Sequence, residues 1–130
     1  MVALDTGFFV SMMRGNKKAI SLWREFKQEK IRPIVSTLSL GELLYLFYSE
    51  GKGEEAKEMI YNIGRVGKVE NVSIDVVIKG ASIKHSLGIP YVDALIGATA
   101  ILNGCRKLYT LDREHMKRLK RIGIDIFIME

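Results

Sequence analysis

Cysteine, histidine and proline are scarce in this chain. Among its 130 residues there are one cysteine (Cys105), two histidines and two prolines. A single cysteine excludes an internal disulfide bond, and no Cys/His spacing resembles a zinc site. We therefore expect any bound metal ion to be held by oxygen ligands.

Long apolar runs are also missing. No apolar stretch approaches the ~20 residues that cross a bilayer, and the first residues lack the basic region of a secretory signal, with Asp5 interrupting their apolar run. We therefore expect a cytoplasmic protein without a membrane span. Apolar residues make up 48% and charged residues 27% of the chain, as in ordinary globular proteins. A length of 130 residues fits one domain, residues 1–130.

Acidic residues are outnumbered by basic ones. Twenty Lys and Arg face fifteen Asp and Glu, which gives a net charge of +5. A basic surface of this kind is compatible with a polyanionic partner such as nucleic acid, and equally with a merely solvated surface. Charge alone does not decide between them.

Short apolar segments alternate with helical patterns along the chain. The predicted strands are residues 2–4, 33–36, 69–72, 106–110 and 124–128. The predicted helices are residues 8–13, 16–30, 37–50, 54–64, 73–87, 90–103 and 112–122. This alternation predicts an α/β fold with a five-stranded parallel sheet that helices cover on both faces.

The helix predicted from Pro90 to Asn103 is apolar and carries one acid, Asp93, in its first turn. Small residues along its flank, among them Gly97 and Ala98, suit a buried helix that packs closely against its neighbours. Considered alone, Asp93 is adequately explained as a helix cap or as a first-turn acid that interacts with the helix dipole.

Three further acids occupy comparable positions. Asp5 and Asp112 follow predicted strands, and Glu42 lies in the opening turns of a helix that also follows a strand. Each has a local explanation, since Asp5 can cap a helix and the pair Ser39 and Glu42 has the form of a capping box. However, parallel strands place their carboxyl ends at one edge of the sheet, so all four acids are expected to converge there.

Converging carboxylates repel one another, and some would take up protons unless a cation compensated their charge. Mg²⁺ and Mn²⁺ prefer oxygen ligands and retained waters. The four acids Asp5, Glu42, Asp93 and Asp112 therefore predict a site for a divalent cation.

Four segments of the sequence resemble the motifs of PIN-domain ribonucleases, and within them the VapC-type toxins of bacterial and archaeal toxin–antitoxin pairs. The segments are LDTGFF, STLSLGELL, YVDALIGATA and TLDREHM, which carry Asp5, Glu42, Asp93 and Asp112 in turn. The resemblance extends over the whole chain. It implies a three-layer α/β/α PIN-like fold in which these four acids form the catalytic, metal-binding centre with Mg²⁺ or Mn²⁺.

The same resemblance implies a function and partners. It indicates a metal-dependent endoribonuclease that hydrolyses RNA phosphodiester bonds, held in check by a cognate antitoxin protein and commonly a homodimer. Apolar residues outside the predicted core, namely Tyr45, Leu46, Tyr48 and Tyr61, are compatible with either protein contact. Basic residues of the segment 112–122, together with Arg14, Lys17 and Lys18, are candidates for contacts to the RNA backbone.

Some residues depart from the pattern or leave its details open. Gly7 stands where many members carry a polar residue, and Glu114 is close enough in sequence to share metal binding with Asp112. The hydroxyl residues Thr6, Ser36 and Thr110 adjoin the acids, either as their hydrogen-bond partners or as ordinary turn residues. His115 is interpreted as an isolated surface histidine, with contact to a phosphate as the alternative.

Two other functions fit parts of the sequence. A PIN domain acting in RNA processing, or as a non-catalytic RNA-binding module, would retain the acids for folding and would bind RNA without cutting it. A receiver-like signalling domain also places acids at strand ends. It needs paired acids near the first strand, however, and Asp5 stands alone there.

Overall fold

The computed structural model of the protein describes residues 1–129. The strands are β1 (Val2–Leu4), β2 (Ile34–Ser36), β3 (Lys68–Glu70), β4 (Lys107–Thr110) and β5 (Asp125–Ile128). The helices are α1 (Thr6–Met13), α2 (Lys17–Gln28), α3 (Thr37–Tyr48), α4 (Gly53–Val66), α5 (Ile74–Leu87), α6 (Tyr91–Leu102) and a 3-10 helix (Met116–Ile122). The predicted α/β class is confirmed.

All five strands form one parallel sheet in the order β3-β2-β1-β4-β5. The first strand of the chain is therefore the central one, with Ala3 opposite Ile34 on one side and opposite Leu108 on the other. The backbone N–H of Asp5 extends the pairing by donating to the Tyr109 carbonyl at 2.9 Å. The carboxyl ends of β1, β2 and β4 consequently lie together at one edge of the sheet.

Both faces of the sheet are buried. Ala3 belongs to a core shared with α5, α6 and the 3-10 helix, whereas its neighbours Val2 and Leu4 belong to a second core shared with α1 to α4. Such alternation follows from the period of two along a strand, and the apolar character of both sets requires helices on both sides. The predicted three-layer α/β/α arrangement is confirmed.

Helix α6 packs deeply beside the site, with residues 94–100 all buried. As predicted, its small residues allow neighbouring elements to pack closely against it. A Cβ atom added to Gly97 would lie 2.9 Å from Leu119 Cδ2, and one added to Gly80 of α5 would lie 2.7 Å from Leu95 Cδ2. This tight fit sets the position of the first turn of α6, where Asp93 lies.

The predicted helix that begins at Asp112 is wrong in its first turn and in its type. Asp112 has no regular structure, residues 113–115 form a bend, and the helix that follows is a 3-10 helix from Met116. The Asp112 carboxylate accepts hydrogen bonds from the backbone N–H groups of Glu114 and His115, at 2.8 and 2.9 Å. An aspartate makes these contacts both in a turn and at the start of a helix, and here the residues that follow Asp112 form a bend.

Within residues 1–129, no single helix has the length and apolar character needed to cross a membrane. Helices α5 and α6 meet that criterion only when taken as a pair, and the pair is bent by 120° at the break between them.

Candidate active site

The four predicted acids line one open cavity at the carboxyl edge of the sheet. Asp5, Glu42, Asp93 and Asp112 all contribute to its wall, and the cavity has a volume of about 420 Å³. Arg14, the C-cap residue of α1, also lines the cavity and is the cation among the lining residues. The convergence that the sequence predicted is thus present in the fold.

Asp5 occupies the buried end of the cavity, with 7% of its surface exposed. Its Oδ1 accepts a hydrogen bond from the Thr6 backbone N–H at 2.7 Å, and its Oδ2 accepts one from the Thr110 hydroxyl at 2.7 Å. The first bond makes Asp5 the N-cap of α1. Asp5 therefore caps α1 and also lines the cavity.

Thr110 links two of the acids. Its hydroxyl donates to Asp5 and accepts from the Asp112 backbone N–H at 3.0 Å. Thr110 is fully buried at the end of β4, so this hydroxyl fixes the loop that carries Asp112 relative to the end of β1. Of the hydroxyl residues noted in the sequence, Thr6 and Thr110 bind acids, whereas Ser36 caps α3.

Glu42 does not form the capping box that its spacing from Ser39 suggested. Helix α3 begins earlier and is capped by the Ser36 hydroxyl, which accepts from the Leu38 N–H at 3.1 Å. Glu42 Oε1 instead accepts a hydrogen bond from the Thr6 hydroxyl at 2.9 Å. Ser39 Oγ is buried and has no hydrogen-bond partner within residues 1–129.

Asp93 is the third residue of α6 and does not cap it, because Pro90 occupies the cap position and no side chain binds the first N–H groups. A negative charge in the first turn is still favoured by the helix dipole. Its Oδ2 lies 3.8 Å from Nδ1 of His115. Asp93 thus lines the cavity together with the other three acids.

His115 is not the isolated surface histidine that the sequence suggested. Its side chain is only 33% exposed, and Nδ1 lies 3.6 Å from Asp112 Oδ2 as well as near Asp93. One potential ligand atom from each of Asp93, Asp112 and His115 lies within 4.8 Å of the others. The imidazole of His115 thus lies beside two of the four acids, although His115 is not among the residues that line the cavity.

The pKa values of Asp5 and Asp93 are both raised to about 6. Burial is the main cause in each case, and repulsion by neighbouring carboxylates adds to it. Hydrogen bonds from Thr110 and Thr6 oppose the rise in the pKa of Asp5, and the His115 side chain opposes it for Asp93. The sequence predicted the repulsion correctly but not the larger effect of burial.

Comparison with known proteins identifies the family. The sequence matches the PIN domain family over residues 2–122. The chain belongs to the PIN domain family. No curated protein matches it.

The fold of this PIN domain is similar to several solved structures. VapBC2 from Rickettsia felis, bound to a DNA fragment from its promoter, matches with a TM-score of 0.78 and 17% identity over 100% of both chains. DNA-bound VapBC from Salmonella typhimurium matches with a TM-score of 0.77 and 19% identity, over 98% of this chain and 96% of that one. Mycobacterium tuberculosis VapC20, a sarcin-ricin loop cleaving toxin, matches with a TM-score of 0.70 and 21% identity, over 95% of this chain and 96% of that one.

Membership of the PIN family removes the receiver-like alternative and makes the departure at Gly7 informative. A Cβ atom at position 7 would lie 2.5 Å from the backbone nitrogen of Leu111, closer than nonbonded atoms approach. Glycine therefore allows the loop after β4 to pack directly on the start of α1. A polar side chain at this position would displace the loop that carries Asp112.

The residues of the cavity suit a divalent cation. Four carboxylates line it, and the pKa values of two are raised. A positive charge placed among them would offset the cost of burying these carboxylates in their charged form and would reduce their mutual repulsion. Carboxylate oxygens are the ligands that Mg²⁺ and Mn²⁺ prefer. Asp5, Glu42, Asp93 and Asp112 are the side chains available to hold it.

Proposed function

We propose that this PIN domain is a metal-dependent endoribonuclease that hydrolyses RNA phosphodiester bonds, and that it is the toxin of a type II toxin–antitoxin pair. The observation that carries the proposal is the convergence of four carboxylates on one open cavity in a member of the PIN family. Similarity in fold to VapBC complexes, and to a toxin that cleaves the sarcin-ricin loop, supports it.

In this proposal Asp5, Glu42, Asp93 and Asp112 hold one or two Mg²⁺ or Mn²⁺ ions. When bound, such an ion polarises the phosphate and lowers the pKa of the attacking water. The chain's own contribution is orientation: the Thr6 and Thr110 hydroxyls fix carboxylate oxygens of Glu42 and Asp5. Ligands held in this way need little reorganisation during the reaction.

Arg14 is the residue best placed to contact a phosphate beside the acids. Its guanidinium is paired with Glu50 Oε2 at 3.0 Å and lies 5.9 Å from the centre of the Phe47 ring, so two contacts from α3 and its end hold it at the cavity wall. A planar guanidinium suits bidentate phosphate contacts. Exposed basic residues farther out would follow the RNA backbone, namely Lys17, Lys18, Lys117, Lys120 and Arg121.

The proposed protein partners are a cognate antitoxin and a second copy of the chain. Support comes from exposed aromatic residues on α3 and α4, of which Tyr45 is 68% and Tyr61 71% exposed. Tyrosines are enriched where proteins meet. Light scattering of the purified chain tests the homodimer, and co-expression with a small neighbouring reading frame tests the antitoxin; a monomer that purifies alone would contradict both.

Cleavage of mixed RNAs by the purified chain tests the enzymatic proposal. We expect cleavage with Mg²⁺ or Mn²⁺, none with EDTA, and a loss of about a thousandfold in Asp93→Asn and in Asp5→Asn, because metal-based stabilisation is worth several kcal/mol. Asp75→Asn is the matched control, since Asp75 is an exposed first-turn acid of α5 that does not line the cavity.

Undiminished cleavage by both site variants would overturn the proposal. Binding of RNA without turnover under every metal condition would instead favour the non-catalytic RNA-binding alternative.

A further inference from the structure

We infer that His115 supplies a nitrogen ligand to the metal centre, and that the centre therefore prefers Mn²⁺ to Mg²⁺. The inference rests on the proposed function and deepens it, because it names a ligand and a metal preference that the four acids alone do not specify. It concerns a side chain outside the carboxylate set on which the proposal was built.

The distances at His115 suit a shared ion. Nδ1 lies 3.6 Å from Asp112 Oδ2 and 3.8 Å from Asp93 Oδ2. Two atoms that bind one ion at about 2.1 Å in octahedral geometry lie about 3.0 Å apart when adjacent and about 4.2 Å apart when opposite. Both observed separations fall between these limits, so a single ion reaches all three side chains with small adjustments.

The backbone at His115 is fixed by one of the acids it would join. Asp112 Oδ1 accepts from the N–H groups of Glu114 and His115, and the next residue, Met116, is fully buried in the core. The histidine is thus held between a hydrogen-bonded turn and an apolar anchor. Asp112 keeps its other oxygen, Oδ2, on the side of the imidazole.

The second ring nitrogen also has a suitable neighbour. Nε2 of His115 lies 3.6 Å from Glu114 Oε1, whose side chain is 75% exposed. Histidines that bind metals commonly direct their other N–H to a carboxylate, which selects the tautomer with the free lone pair towards the ion. In the inferred centre, a small movement of the exposed Glu114 side chain would let it accept from Nε2 of His115, and Asp112 remains the ligand.

A nitrogen ligand changes which ion the site favours. Mg²⁺ takes oxygen ligands and keeps its waters, whereas imidazole suits first-row transition ions better, so one imidazole among carboxylates shifts the balance towards Mn²⁺. The competing interpretation is that His115, when protonated, is only a charge partner of Asp93 and Asp112. A bound ion would then be surrounded by oxygen alone.

Pulsed electron paramagnetic resonance of Mn²⁺ bound to the purified full chain separates these interpretations. At about pH 8, where an ordinary imidazole is neutral, we expect a coupling from a directly bound nitrogen. The chain has two histidines, so each can be removed in turn. His115→Gln should abolish the coupling, and His85→Gln, at an exposed position on α5, should leave it unchanged.

Calorimetric titration with Mn²⁺ or Mg²⁺ gives a second readout that does not depend on activity. His115→Gln should weaken Mn²⁺ binding by roughly tenfold or more and Mg²⁺ binding by less than about twofold, because Mg²⁺ gains little from the nitrogen. His115→Asp, which makes the ligand set all oxygen, should lower the ratio of Mn²⁺ to Mg²⁺ affinity in the same direction.

Mn²⁺ bound by the unmodified chain without a nitrogen coupling, together with an unchanged affinity ratio in His115→Gln, would overturn the inference. If RNA is still cleaved in a metal-dependent way under that result, the proposed function stands and only the role of His115 falls. If neither ion binds the unmodified chain, the metal centre itself is wrong and both fail.

Discussion

Asp5 and Asp93 face the same cavity from two regions of different construction. Asp5 lies at the end of the central strand and accepts hydrogen bonds from Thr6 and Thr110, whereas Asp93 lies in the first turn of α6 beside His115. The pKa of each is raised to about 6. Similar acidity thus arises in a hydrogen-bonded strand end and in a helix start that offers no capping side chain.

The two acids are held in place by different interactions. At the strand end, hydrogen bonds recover part of the cost of burying Asp5 and fix its oxygens in place. At the helix start, tight packing of the α6 backbone fixes the position of Asp93. The pKa of its carboxyl group depends on burial and on neighbouring charges, with no hydrogen bond among the causes. We therefore expect the strand end to be sensitive to changes in hydrogen bonding and the helix start to changes in pH or cation.

The largest effect on stability is expected at the helix start. Because the folded pKa of Asp93 is about 6 and its ordinary value is 3.8, the folded state binds the proton more tightly. The free energy of unfolding of the metal-free chain should therefore fall as pH rises from about 4 to about 6 and then level off. Asp93→Asn should be more stable near pH 7 by at most about 3 kcal/mol.

Urea denaturation in EDTA across this pH range measures the effect, with Asp75→Asn as the control that should follow the unmodified chain. Asp5 contributes a pH dependence of the same sign, so the variant should lose part of the slope and not all of it. An Asp93→Asn variant that is less stable than the unmodified chain at pH 7, or equally dependent on pH, would contradict the account of the helix start.

The next effect is expected at the strand end. Thr110→Val keeps the side-chain shape but removes the hydroxyl that donates to Asp5 and accepts from the Asp112 N–H. Stability should fall by about 1–3 kcal/mol, because the buried Asp5 carboxylate loses a donor and the half-buried Asp112 N–H loses its acceptor, and the pKa of Asp5 should rise further. Thr99→Val is the matched control, since Thr99 is equally buried and bonds only within α6, to the Leu95 carbonyl.

RNA cleavage by these two variants sharpens the comparison. We expect roughly tenfold slower cleavage in Thr110→Val, within the range seen when residues that orient metal ligands are lost, and little change in Thr99→Val. Equal losses in the two variants would mean that the hydroxyl serves general stability and not the arrangement of the acids.

A loss of stability of about the same size is expected from a single methyl group at Gly7. Gly7→Ala would place Cβ against the Leu111 backbone, so the loop carrying Asp112 must move, at a cost of about 1–3 kcal/mol in stability. Gly41→Ala is the control, because a Cβ there meets nothing within 4 Å and the position lies inside α3. Thermal unfolding should show the first variant below, and the second at or above, the unmodified chain.

Hydrophobic pattern was sufficient to predict the architecture. Alternating buried runs and helical stripes gave the strands and helices nearly in full, and the small residues around Gly97 correctly predicted a closely packed helix. These features are local consequences of burial, so they are visible in sequence. The ends of helices were harder, because Ser36, and not Ser39, meets the first free N–H groups of α3.

Contacts between distant segments could not be predicted in the same way. Glu42 matches a capping box in sequence, yet its oxygen binds Thr6, 36 residues earlier. His115 looked exposed because charged residues surround it, and only the bend at Asp112 turns it towards Asp93. In both cases the contacting residue lies on another helix or strand, so the local sequence pattern does not predict the contact.

The bond between Thr110 and Asp5 spans 105 residues, which has a consequence for synthesis of the chain. At about 5–20 residues per second, Thr110 is added roughly 5 to 20 seconds after Asp5. Until β4 pairs with β1, the loop that carries Asp112 has no partner, and the cavity lacks one wall. The fourth carboxylate of the cavity therefore takes up its place only after β4 has been synthesised and has paired with β1.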